Sequence, residues 1–580
     1  MPQLLERQRS PEIESAARAL GYSPLLARIV AGRLEKGQES QLADLLQGSA
    51  ELLTPPDLLP DLEQAVALGV TAIQQGWPVV LLSDYDADGA SAHAVLKLAF
   101  RDYFGVPSQH IHSFIGHRLR DGYGVSENVV ERILATAPRP ALLVTADQGS
   151  TDHDRIARLQ AAGFRVIITD HHGVPEELPP APCVNPVRRD SRFPDPYIAG
   201  VHVAWLYCCA LRQGLIAAGV LPATTPKLGG LLDLVALGTV ADCVDLARSV
   251  NNRVIVRRGL ALMNRSGHRV VWEALAACSG HLGPISAATV GFRFAPLINA
   301  RGRLDSALES VELLLCTDRH RALALAATLQ DDNEERKRIQ ARMLERAEHL
   351  AREQSAAAAL CILDPEGHPG VHGICAARLA ERWGRPVAFF SPKEDPDFLT
   401  ASLRSFGDFP IRDCLAQIAE RFPEEVLHWG GHKGAGGITI HRMAFERFQA
   451  YFQTLAARFF GQEALGPRIW LDAPLPERIE ADLLAELATL EPFGRQWEAP
   501  VFGVRAVVTA LHPLGGGRHW RVQLARRDQV LPEAVWFHAS EDGVAPIDLG
   551  QSVQGACHVE ANHFGGKTRV QLLIRHLALC

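Results

Sequence analysis

Carboxylate and imidazole side chains follow three short apolar segments of this chain. Residues 79–82 lead into Asp84-Tyr85-Asp86-Ala87-Asp88-Gly89, residues 142–145 into Asp147, and residues 166–169 into Asp170-His171-His172. Short apolar runs that end in polar residues are typical of buried strands in a parallel sheet. Because ligands of such sheets bind outside the carboxyl ends of the strands, these side chains are expected to meet at one edge.

The chemistry that this cluster favours is the binding of a pair of divalent cations. Asp84, Asp86 and Asp88 alternate along the chain, and carboxylates so close repel one another unless cations neutralise them. The nitrogen donors of His171 and His172 favour manganese over magnesium or calcium alone. One such stretch would be read as an ordinary turn, since Asp and Gly are common turn residues. Three of them favour a metal site.

Bulk composition indicates a globular protein of several domains. The chain has 580 residues, of which 47% are apolar and 22% charged, and this length is too great for one core. No apolar stretch approaches a membrane span, residues 1–10 lack a signal-peptide core, and the eleven cysteines include no Cys-Xaa-Xaa-Cys pair. We therefore expect a cytoplasmic protein with reduced thiols. The net charge of −7 weighs slightly against a nucleic-acid partner without excluding one.

The pattern along the chain predicts an α/β multidomain fold. Strands that alternate with helices from residue 79 to about 250 indicate a doubly wound parallel sheet. A charged stretch without proline or glycine, 318–354, predicts a long helix that either lies on the surface or joins two domains rigidly. A smaller α/β unit and a small C-terminal β-barrel follow. The predicted boundaries are 1–57 (helical segment), 58–317, 318–355 (connecting helix), 356–462 and 463–580 (barrel).

One further acidic residue lies near the end of an apolar helical segment. Residues 231–246 are mostly apolar and carry Asp242 close to the end of the predicted helix. An acid there is either a solvated helix end or a metal ligand. The residue alone favours the solvated end.

Five motifs, in this order and spacing, resemble those of RecJ-type exonucleases of the DHH phosphoesterase superfamily. They are Asp-Tyr-Asp-Ala-Asp-Gly at 84–89, Asp-His-His at 170–172, Asn-Ala-Arg-Gly-Arg-Leu-Asp at 299–305, Ser-Leu-Arg-Ser at 402–405 and Gly-Gly-His at 430–432. The resemblance extends from about Leu58 to the C-terminus. It implies a DHH domain, a DHHA1 domain and an OB-type barrel. The implied activity is release of 5′ mononucleotides from single-stranded DNA, in the 5′→3′ direction, by two-metal-ion hydrolysis in DNA recombination and repair.

The resemblance implies two divalent metal ions, with Mn²⁺ preferred and Mg²⁺ as the second candidate. The implied ligands are Asp84, Asp86 and Asp147 for the first ion, and Asp88, Asp147, His171 and Asp242 for the second. Asp147 would then bridge the two ions. His172 is expected to face the scissile phosphate, and Asp170 to orient the two histidines.

The resemblance also implies a set of DNA contacts. They are Arg118, Tyr123, Arg301, Arg303, Arg378, Ser402, Arg404, Ser405 and His432. Arginine suits this role because its planar fork bonds two phosphate oxygens, and Arg303 is expected to act in catalysis as well. Without the resemblance, Arg303 and Arg378 would be read as members of structural ion pairs. Tyr123 fits base stacking and a loop anchor equally well.

Five residues at four places depart from the family pattern. Ser83 stands where glycine is usual, Gln148 where cysteine or asparagine is common, Leu297 where arginine is usual, and Gln496-Trp497 where glycine-asparagine is usual. Arg301 is a candidate to compensate for Leu297. None of these departures touches an expected metal ligand.

Two other functions are compatible with parts of the pattern. One is a DHH-family phosphodiesterase that acts on short oligonucleotides, cyclic dinucleotides or pyrophosphate, against which the length and the barrel argue. The other is a non-catalytic DNA-binding scaffold, like the inactive relative in the eukaryotic replicative helicase, but such relatives lose ligands that are all present here. The resemblance implies a monomer that binds single-stranded DNA, a single-strand-binding protein and a RecQ-type helicase.

Overall fold

The computed structural model describes residues 2–118, 120–461, 465–527, 529–540, 543–564 and 567–580. The chain begins with a small helical segment that comprises β1 (Gln3–Glu6), α1 (Pro11–Ala19), α2 (Pro24–Ala31) and α3 (Leu42–Gln47). Ser10 and Ser23 cap α1 and α2, because each side chain accepts a hydrogen bond from a backbone N–H three residues later. A proline at the first position of each helix reinforces these starts.

The first α/β unit contains a five-stranded parallel sheet with the strand order β3–β2–β4–β5–β6. Its strands are β2 (Val79–Ser83), β3 (Ile111–Ile115), β4 (Ala141–Ala146), β5 (Phe164–Thr169) and β6 (Cys183–Val184). Its helices are α4 (Leu62–Gln74), α5 (Ala87–Leu98), α6 (Glu127–Thr136), α7 (His153–Ala161), α8 (Gly200–Ala217), α9 (Leu232–Ala241), α10 (Val250–Met263), α11 (Val270–Cys278), α12 (Ala287–Thr289), α13 (Ala295–Leu304) and α14 (Leu308–Leu315). Apolar clusters lie on both faces of this sheet, which explains the continuous apolar runs and confirms the doubly wound prediction.

A single helix, α15 (Arg319–Glu353), joins the two α/β units. Ala322, Ala326 and Leu329 belong to the core of the first unit, whereas Met343 and Ala347 belong to a core of the second unit. Between these two apolar ends the buried positions are polar, and Arg336 donates hydrogen bonds to Asn333 and Gln340. Of the two predictions for this charged stretch, a surface helix or a helix that joins two domains, the structure therefore shows the second.

The second α/β unit contains a mixed five-stranded sheet with the order β10–β11–β9–β8–β7, in which only β7 and β8 are parallel. Its strands are β7 (Leu360–Leu363), β8 (Val387–Pro392), β9 (Phe398–Arg404), β10 (Val426–His432) and β11 (Ala435–His441). Its helices are α16 (His372–Trp383), α17 (Ile411–Arg421) and α18 (Phe445–Phe460). The predicted boundary between 462 and 463 lies outside the described residues.

The C-terminal domain is a closed five-stranded barrel, as predicted. Its elements are β12 (Arg468–Leu471), β13 (Ala473–Pro474), α19 (Ala481–Ala488), β14 (Phe502–Leu514), β15 (His519–Arg526), β16 (Gln529–Val530), β17 (Ala534–Trp536), β18 (Ser552–Phe564) and β19 (Lys567–Leu579). The ring runs β14–β18–β19–β17–β15 and closes through the pairing of β15 with β14. Closure leaves the barrel without open sheet edges along these five strands.

The N-terminal segment packs into the same apolar cluster as the barrel and part of the first α/β unit. Strand β1 pairs in parallel with β12, so the N-terminal strand meets the start of the C-terminal domain. Arg253 of α10 is buried and donates to the carbonyl oxygens of Leu45 (2.5 Å) and Leu490 (3.0 Å), while its guanidinium lies 4.7 Å from the ring centroid of Trp497. These contacts fasten the N-terminal segment, the first unit and the barrel to one another.

Among the described residues, no helix is both long and apolar enough to cross a membrane.

Candidate metal centre and DNA-binding cleft

The register of the sheet aligns three acidic residues at one edge. Ser83, the last residue of β2, pairs with Ala146, the last of β4, which in turn pairs with Thr169, the last of β5. The next residue in each case is an aspartate: Asp84, Asp147 and Asp170. Their backbone N–H groups continue the ladder and donate to the neighbouring strand ends at 2.9–3.3 Å. The three carboxylates therefore leave the sheet at the same level.

Helix starts supply the backbone donors that hold two further carboxylates. Asp86 is the N-cap of α5, and its Oδ1 accepts from the N–H groups of Asp88 (2.8 Å) and Gly89 (3.0 Å). Asp88 accepts from Gly200 N (2.7 Å) and Val201 N (3.0 Å) at the start of α8. Helix N-termini favour negative charge, so both ends stabilise acidic side chains that would otherwise repel one another.

Backbone shape brings these elements unusually close together. Asp147 has a left-handed backbone with φ of 62°, which aspartate tolerates better than most residues. A Cβ on Gly200 would lie 2.5 Å from Asp147 Oδ1, and a Cβ on Gly238 of α9 would lie 2.5 Å from Asp88 Oδ1. Glycine at both positions is what allows α8 and α9 to approach the acidic cluster.

The side chains form two overlapping candidate metal sites. His171 Nε2 lies 3.2 Å from Asp147 Oδ1, 3.6 Å from Asp242 Oδ2 and 3.9 Å from Asp88 Oδ2. On the other side of Asp147, the carboxylates of Asp84, Asp86 and Asp147 converge, with ligand atoms within 4.8 Å of one another. All six residues expected to bind metal are thus brought together, including Asp242, which alone would have been read as a solvated helix end.

The electrostatics of this cluster fit divalent cations. Within the part of the chain that the structure describes, Asp84 Oδ1, Asp147 Oδ1 and His171 Nε2 are buried and have no hydrogen-bond partner. Burial, and then repulsion from Asp86, raises the pKa of Asp84 and of Asp88 to about 7. Burial and the charge of Asp88 raise the pKa values of Asp147 and Asp242 well above the ordinary range. A donor set of carboxylate oxygens and one imidazole suits Mn²⁺ and Mg²⁺, which would satisfy these atoms and charges.

Asp170 points toward the histidines rather than into the candidate metal sites. Its Oδ1 lies 2.8 Å from His172 Nδ1 and accepts from the backbone N–H of His171 and of His172, while Oδ2 accepts from Ser150 N. Burial opposes the charged form of His172, but the charge and hydrogen bond of Asp170 outweigh it and raise the pKa of His172 to about 9. Burial and the nearby His172 lower the pKa of His171 to about 4. Tyr123, half exposed, packs edge-on against His172 with ring centroids 5.3 Å apart.

Three of the expected DNA-binding arginines form a cationic cluster beside the acidic one. The guanidinium of Arg118 lies 4.2 Å from the ring centroid of Tyr85. Arg303 Nη1 donates to Gly370 O (3.1 Å), a contact between the two α/β units, and Arg404 donates to Leu403 O. Among the described residues, none of the three forms an ion pair with a carboxylate. Burial, followed by the charge of Arg118, lowers the pKa of Arg303 to about 9, and the same two causes lower that of Arg404. Such a cluster is poised to receive an anion.

The second unit contains four other residues that were expected to contact DNA. Ser402 is half-buried in β9, between Phe389 of β8 and Gly437 of β11. Ser405 Oγ donates to Phe409 O (2.6 Å), and exposed His432 accepts from Gly434 N through Nδ1 (3.1 Å). Arg378 is exposed on α16, and its charge acts on Arg336 of α15 and on His538 of the barrel. The residues on which Arg378 acts therefore lie outside the acidic cluster.

Arg301 has a different environment from Arg303. Its guanidinium contacts Glu309 (2.9 Å), Asp332 (3.3 Å) and Asp305 (3.4 Å). These three carboxylates occupy its donors and favour a structural role, so a DNA contact by Arg301 stays a prediction that this geometry does not support. Leu297, for which Arg301 was a candidate to compensate, is buried in the core of the first unit.

Two supporting residues were not among the site residues expected from the sequence. Asn299 Oδ1 accepts from Ala87 N (2.8 Å) and so fixes the start of α5. Asn185 donates to Ser150 Oγ and to His172 O, both at 2.9 Å. Asn299 lies within a recognised motif and gave a signal, whereas Asn185 lies within a proline-rich loop and gave none.

The departure at Ser83 has a partner within the first unit. Ser83 Oγ lies 3.0 Å from His93 Nδ1, both residues are buried, and burial lowers the pKa of His93 to about 3. A neutral buried imidazole needs such a partner, because an unpaired buried polar atom is costly. Gln148, by contrast, is buried, and neither its Oε1 nor its Nε2 has a partner among the described residues.

We expect Ser83→Ala to destabilise the protein by about 1–3 kcal/mol, because it leaves His93 Nδ1 without a hydrogen bond. The melting temperature is measured by differential scanning fluorimetry in metal-free buffer and is expected to be lower than that of the wild type. Ser108→Ala, at an exposed serine, serves as the matched control and should leave the transition unchanged. An equal shift in both variants would contradict the pairing.

Matches to protein-family models cover most of the chain. Residues 78–239 match the N-terminal domain of the DHH family, residues 354–458 match the DHHA1 domain, and residues 471–576 match the RecJ OB domain. Together with the observed sheets, these matches define the class: a multidomain protein built from a DHH domain, a DHHA1 domain and an OB-type barrel.

Full-length relatives narrow this class to one family. The single-stranded-DNA-specific exonuclease RecJ of Dickeya dadantii is 34% identical over 546 residues, which cover 90% of this chain and 91% of the relative. The crystal structure of RecJ from Thermus thermophilus in complex with Mn²⁺ matches with a TM-score of 0.79 and 29% identity, covering 99% of this chain and 79% of that one. The same enzyme in complex with Mg²⁺ matches with a TM-score of 0.73 and 27% identity, covering 99% and 78% of the two chains. The chain belongs to the RecJ family.

Proposed function

We propose that this protein is a single-stranded-DNA-specific 5′→3′ exonuclease that releases 5′ mononucleotides, acting in DNA recombination and repair. The observation that carries the proposal is the juxtaposition of two clusters of opposite charge. Unpartnered acidic and imidazole atoms at the end of the parallel sheet lie beside arginines that form no ion pair with a carboxylate among the described residues. Divalent cations fit the first cluster and phosphate groups fit the second.

The acidic cluster holds the cations in this proposal. Asp84, Asp86 and Asp147 bind one ion, and Asp88, Asp147, His171 and Asp242 bind the other, with Mn²⁺ preferred and Mg²⁺ as the alternative. When bound, the two cations supply Lewis-acid neutralisation of phosphoryl charge and make water a stronger nucleophile at neutral pH. His172 faces the scissile phosphate through Nε2, because Asp170 engages its Nδ1 at 2.8 Å. That hydrogen bond fixes the orientation of the ring.

The cationic cluster holds the substrate. Phosphate oxygens are bound by Arg118, Arg303 and Arg404. Their planar guanidinium groups fix the position of the scissile phosphate relative to the acidic cluster. Tyr123, half exposed against His172, stacks on a base. Ser402, Ser405, His432 and Arg378 extend the contact surface along the second unit. In this proposal, single-strand specificity comes from the space between the two α/β units, which would admit one strand and exclude a duplex.

The two alternative functions account for less of the molecule. A phosphodiesterase for dinucleotides or other small substrates has no evident use for the closed barrel. A non-catalytic scaffold has no need for a complete set of converging ligands. Within the proposed function, the protein works as a cytoplasmic monomer, with a RecQ-type helicase that supplies single strands and a single-strand-binding protein that coats them.

The proposed function is tested by degradation of a single strand labelled at either end. With Mn²⁺ present, the expected result is immediate release of 5′-labelled mononucleotide, while a 3′ label stays on shortening fragments and a blunt duplex is spared. Chelation with EDTA should stop the reaction, and added Mn²⁺ should restore it. Cleavage limited to the very shortest oligonucleotides would instead support the small-substrate enzyme. Binding without metal-dependent cleavage would support the scaffold.

A further inference from the structure

The turn at residues 494–497, where the sequence departs from its family, is rigidly built. Gly494 N donates to Trp497 O (2.9 Å) and Trp497 N donates to Gly494 O (3.1 Å), which closes the turn on itself. Gln496 has a left-handed backbone with φ of 63°. Trp497 is buried, donates through Nε1 to Leu490 O (2.8 Å) and lies under the guanidinium of Arg253. The buried tryptophan anchors the turn and leaves Arg495 at its exposed tip.

This turn docks against the first α/β unit close to the acidic cluster. Leu246 N donates to Arg495 O (3.1 Å), and a Cβ on Gly494 would lie 2.6 Å from Leu246 Cδ1. Leu246 is only four residues beyond Asp242, whose Oδ2 lies 3.6 Å from His171 Nε2. The barrel domain thus places Arg495 against the segment that follows the candidate metal ligand Asp242.

The charge of Arg495 acts on one residue of each α/β unit. Burial lowers the pKa of His432 on β10, and the positive charges of Arg404, His172 and Arg495 lower it further. Arg495 also acts on Cys243, the residue after Asp242. Over the described ranges of the chain, Arg495 forms no ion pair with a carboxylate. An exposed arginine that acts on both units and has no carboxylate partner among the described residues is available for an anionic ligand.

We propose that Arg495 binds a backbone phosphate of the DNA strand, on the 3′ side of the scissile bond. This inference rests on the proposed function. Because the proposed enzyme releases one nucleotide at a time from the 5′ end, all but the first nucleotide lie on the 3′ side of the scissile bond. Arg118 and Arg303 act on Asp84 and Asp86, whereas the backbone of Arg495 contacts Leu246, four residues after Asp242. Arg495 is therefore assigned to a phosphate beyond the first nucleotide. The barrel domain contributes to substrate binding through this turn.

Binding is the first test, made in EDTA so that the strand stays intact. The fluorescence anisotropy of a labelled, 5′-phosphorylated 20-nucleotide strand is titrated at several salt concentrations. We expect Arg495→Ala to weaken binding about 10-fold and to reduce the slope of log K against log salt by about 0.7, the value for one phosphate of a single strand. Arg495→Lys should keep the slope, and Arg505→Ala, at an exposed arginine of β14, is the matched control. An unchanged slope in Arg495→Ala would overturn the inference.

Kinetics on two substrate lengths give an independent readout. A 5′-phosphorylated dinucleotide has no internucleotide phosphate beyond its scissile bond, whereas the 20-nucleotide strand has many. With Mn²⁺, Arg495→Ala should lower kcat/KM about 10-fold on the long strand and less than about 2-fold on the dinucleotide. Equal losses on both substrates would indicate a structural role and overturn the inference. Inactivity of the wild-type protein on both would instead refute the proposed function, while the salt slope would still decide the role of Arg495.

Discussion

Asp147→Asn should abolish exonuclease activity, with a loss of at least about 10³-fold, because this carboxylate is shared by both candidate metal sites. Its Oδ1 lies 3.2 Å from His171 Nε2, and the carboxylate belongs to the converging group of Asp84 and Asp86 as well. Asparagine keeps the shape but removes the charge that two cations need. The measurement is the rate of 5′-mononucleotide release from a labelled single strand at saturating Mn²⁺.

The same substitution should have the opposite effect on the stability of the metal-free protein. Burial and the charges of Asp88, Asp86, Asp84 and Asp242 raise the pKa of Asp147, so the ionised form is disfavoured when no cation is present. Asp147→Asn is therefore expected to melt higher than wild type in EDTA and to lose the stabilisation that Mn²⁺ gives to wild type. Asp154→Asn, at a fully exposed carboxylate, is the control. A variant that is inactive but still stabilised by Mn²⁺ would contradict the shared-ligand role.

Gly200→Ala should lower activity about 10²-fold without adding or removing any charged group. The added methyl group would push the candidate metal ligands Asp147 and Asp88 out of position, and small displacements of reacting groups are costly. A Cβ at this position would lie 2.5 Å from Asp147 Oδ1 and 2.8 Å from its Cγ, while Gly200 N donates to Asp88 Oδ2 at 2.7 Å. Either α8 moves away and loosens Asp88, or Asp147 rotates. The rate of mononucleotide release and the Mn²⁺ concentration for half-maximal activity are measured together.

Gly229→Ala provides the comparison for this substitution. Gly229 is exposed, and an added Cβ would meet no atom within 4 Å. Its activity and its Mn²⁺ dependence should equal those of the wild type. If Gly200→Ala had the activity and the Mn²⁺ dependence of the wild type, the acidic cluster would tolerate a shift of α8. The close approach of α8 to Asp147 would then have no functional importance.

The sequence predicts the strand-end part of the site better than its helical part. Asp84, Asp147 and Asp170 were predictable because parallel strands in register must deliver their next residues to one edge. The contact of Asp88 with Gly200 was not predictable, since the two residues are 112 positions apart and meet only through the packing of α5 on α8. The position of Asp242 beside His171 depends in the same way on how α9 packs.

The two arginines of the 299–305 motif show a second limit of prediction from sequence. Arg301 and Arg303 both lie on α13, and residues two apart on a helix point to nearly opposite sides. Only one of them can face the cleft, but a motif does not reveal which. In the structure, Arg303 reaches Gly370 of the second unit, while Arg301 lies among three carboxylates. The direction of α13 depends on tertiary packing that no local pattern encodes.

The division of the molecule into packed cores has a mechanical consequence. Among the described residues, the first α/β unit, the N-terminal segment and the barrel are fastened together, whereas the second α/β unit has apolar cores of its own, one of which includes the far end of α15. We therefore expect the second unit, which carries Arg404 and His432, to move relative to the rest of the molecule when a strand enters, with a hinge at the polar middle of α15, around Arg336. The acidic cluster and Arg495 lie together on the other side of this hinge, so the spacing of the candidate metal ligands is expected to stay constant.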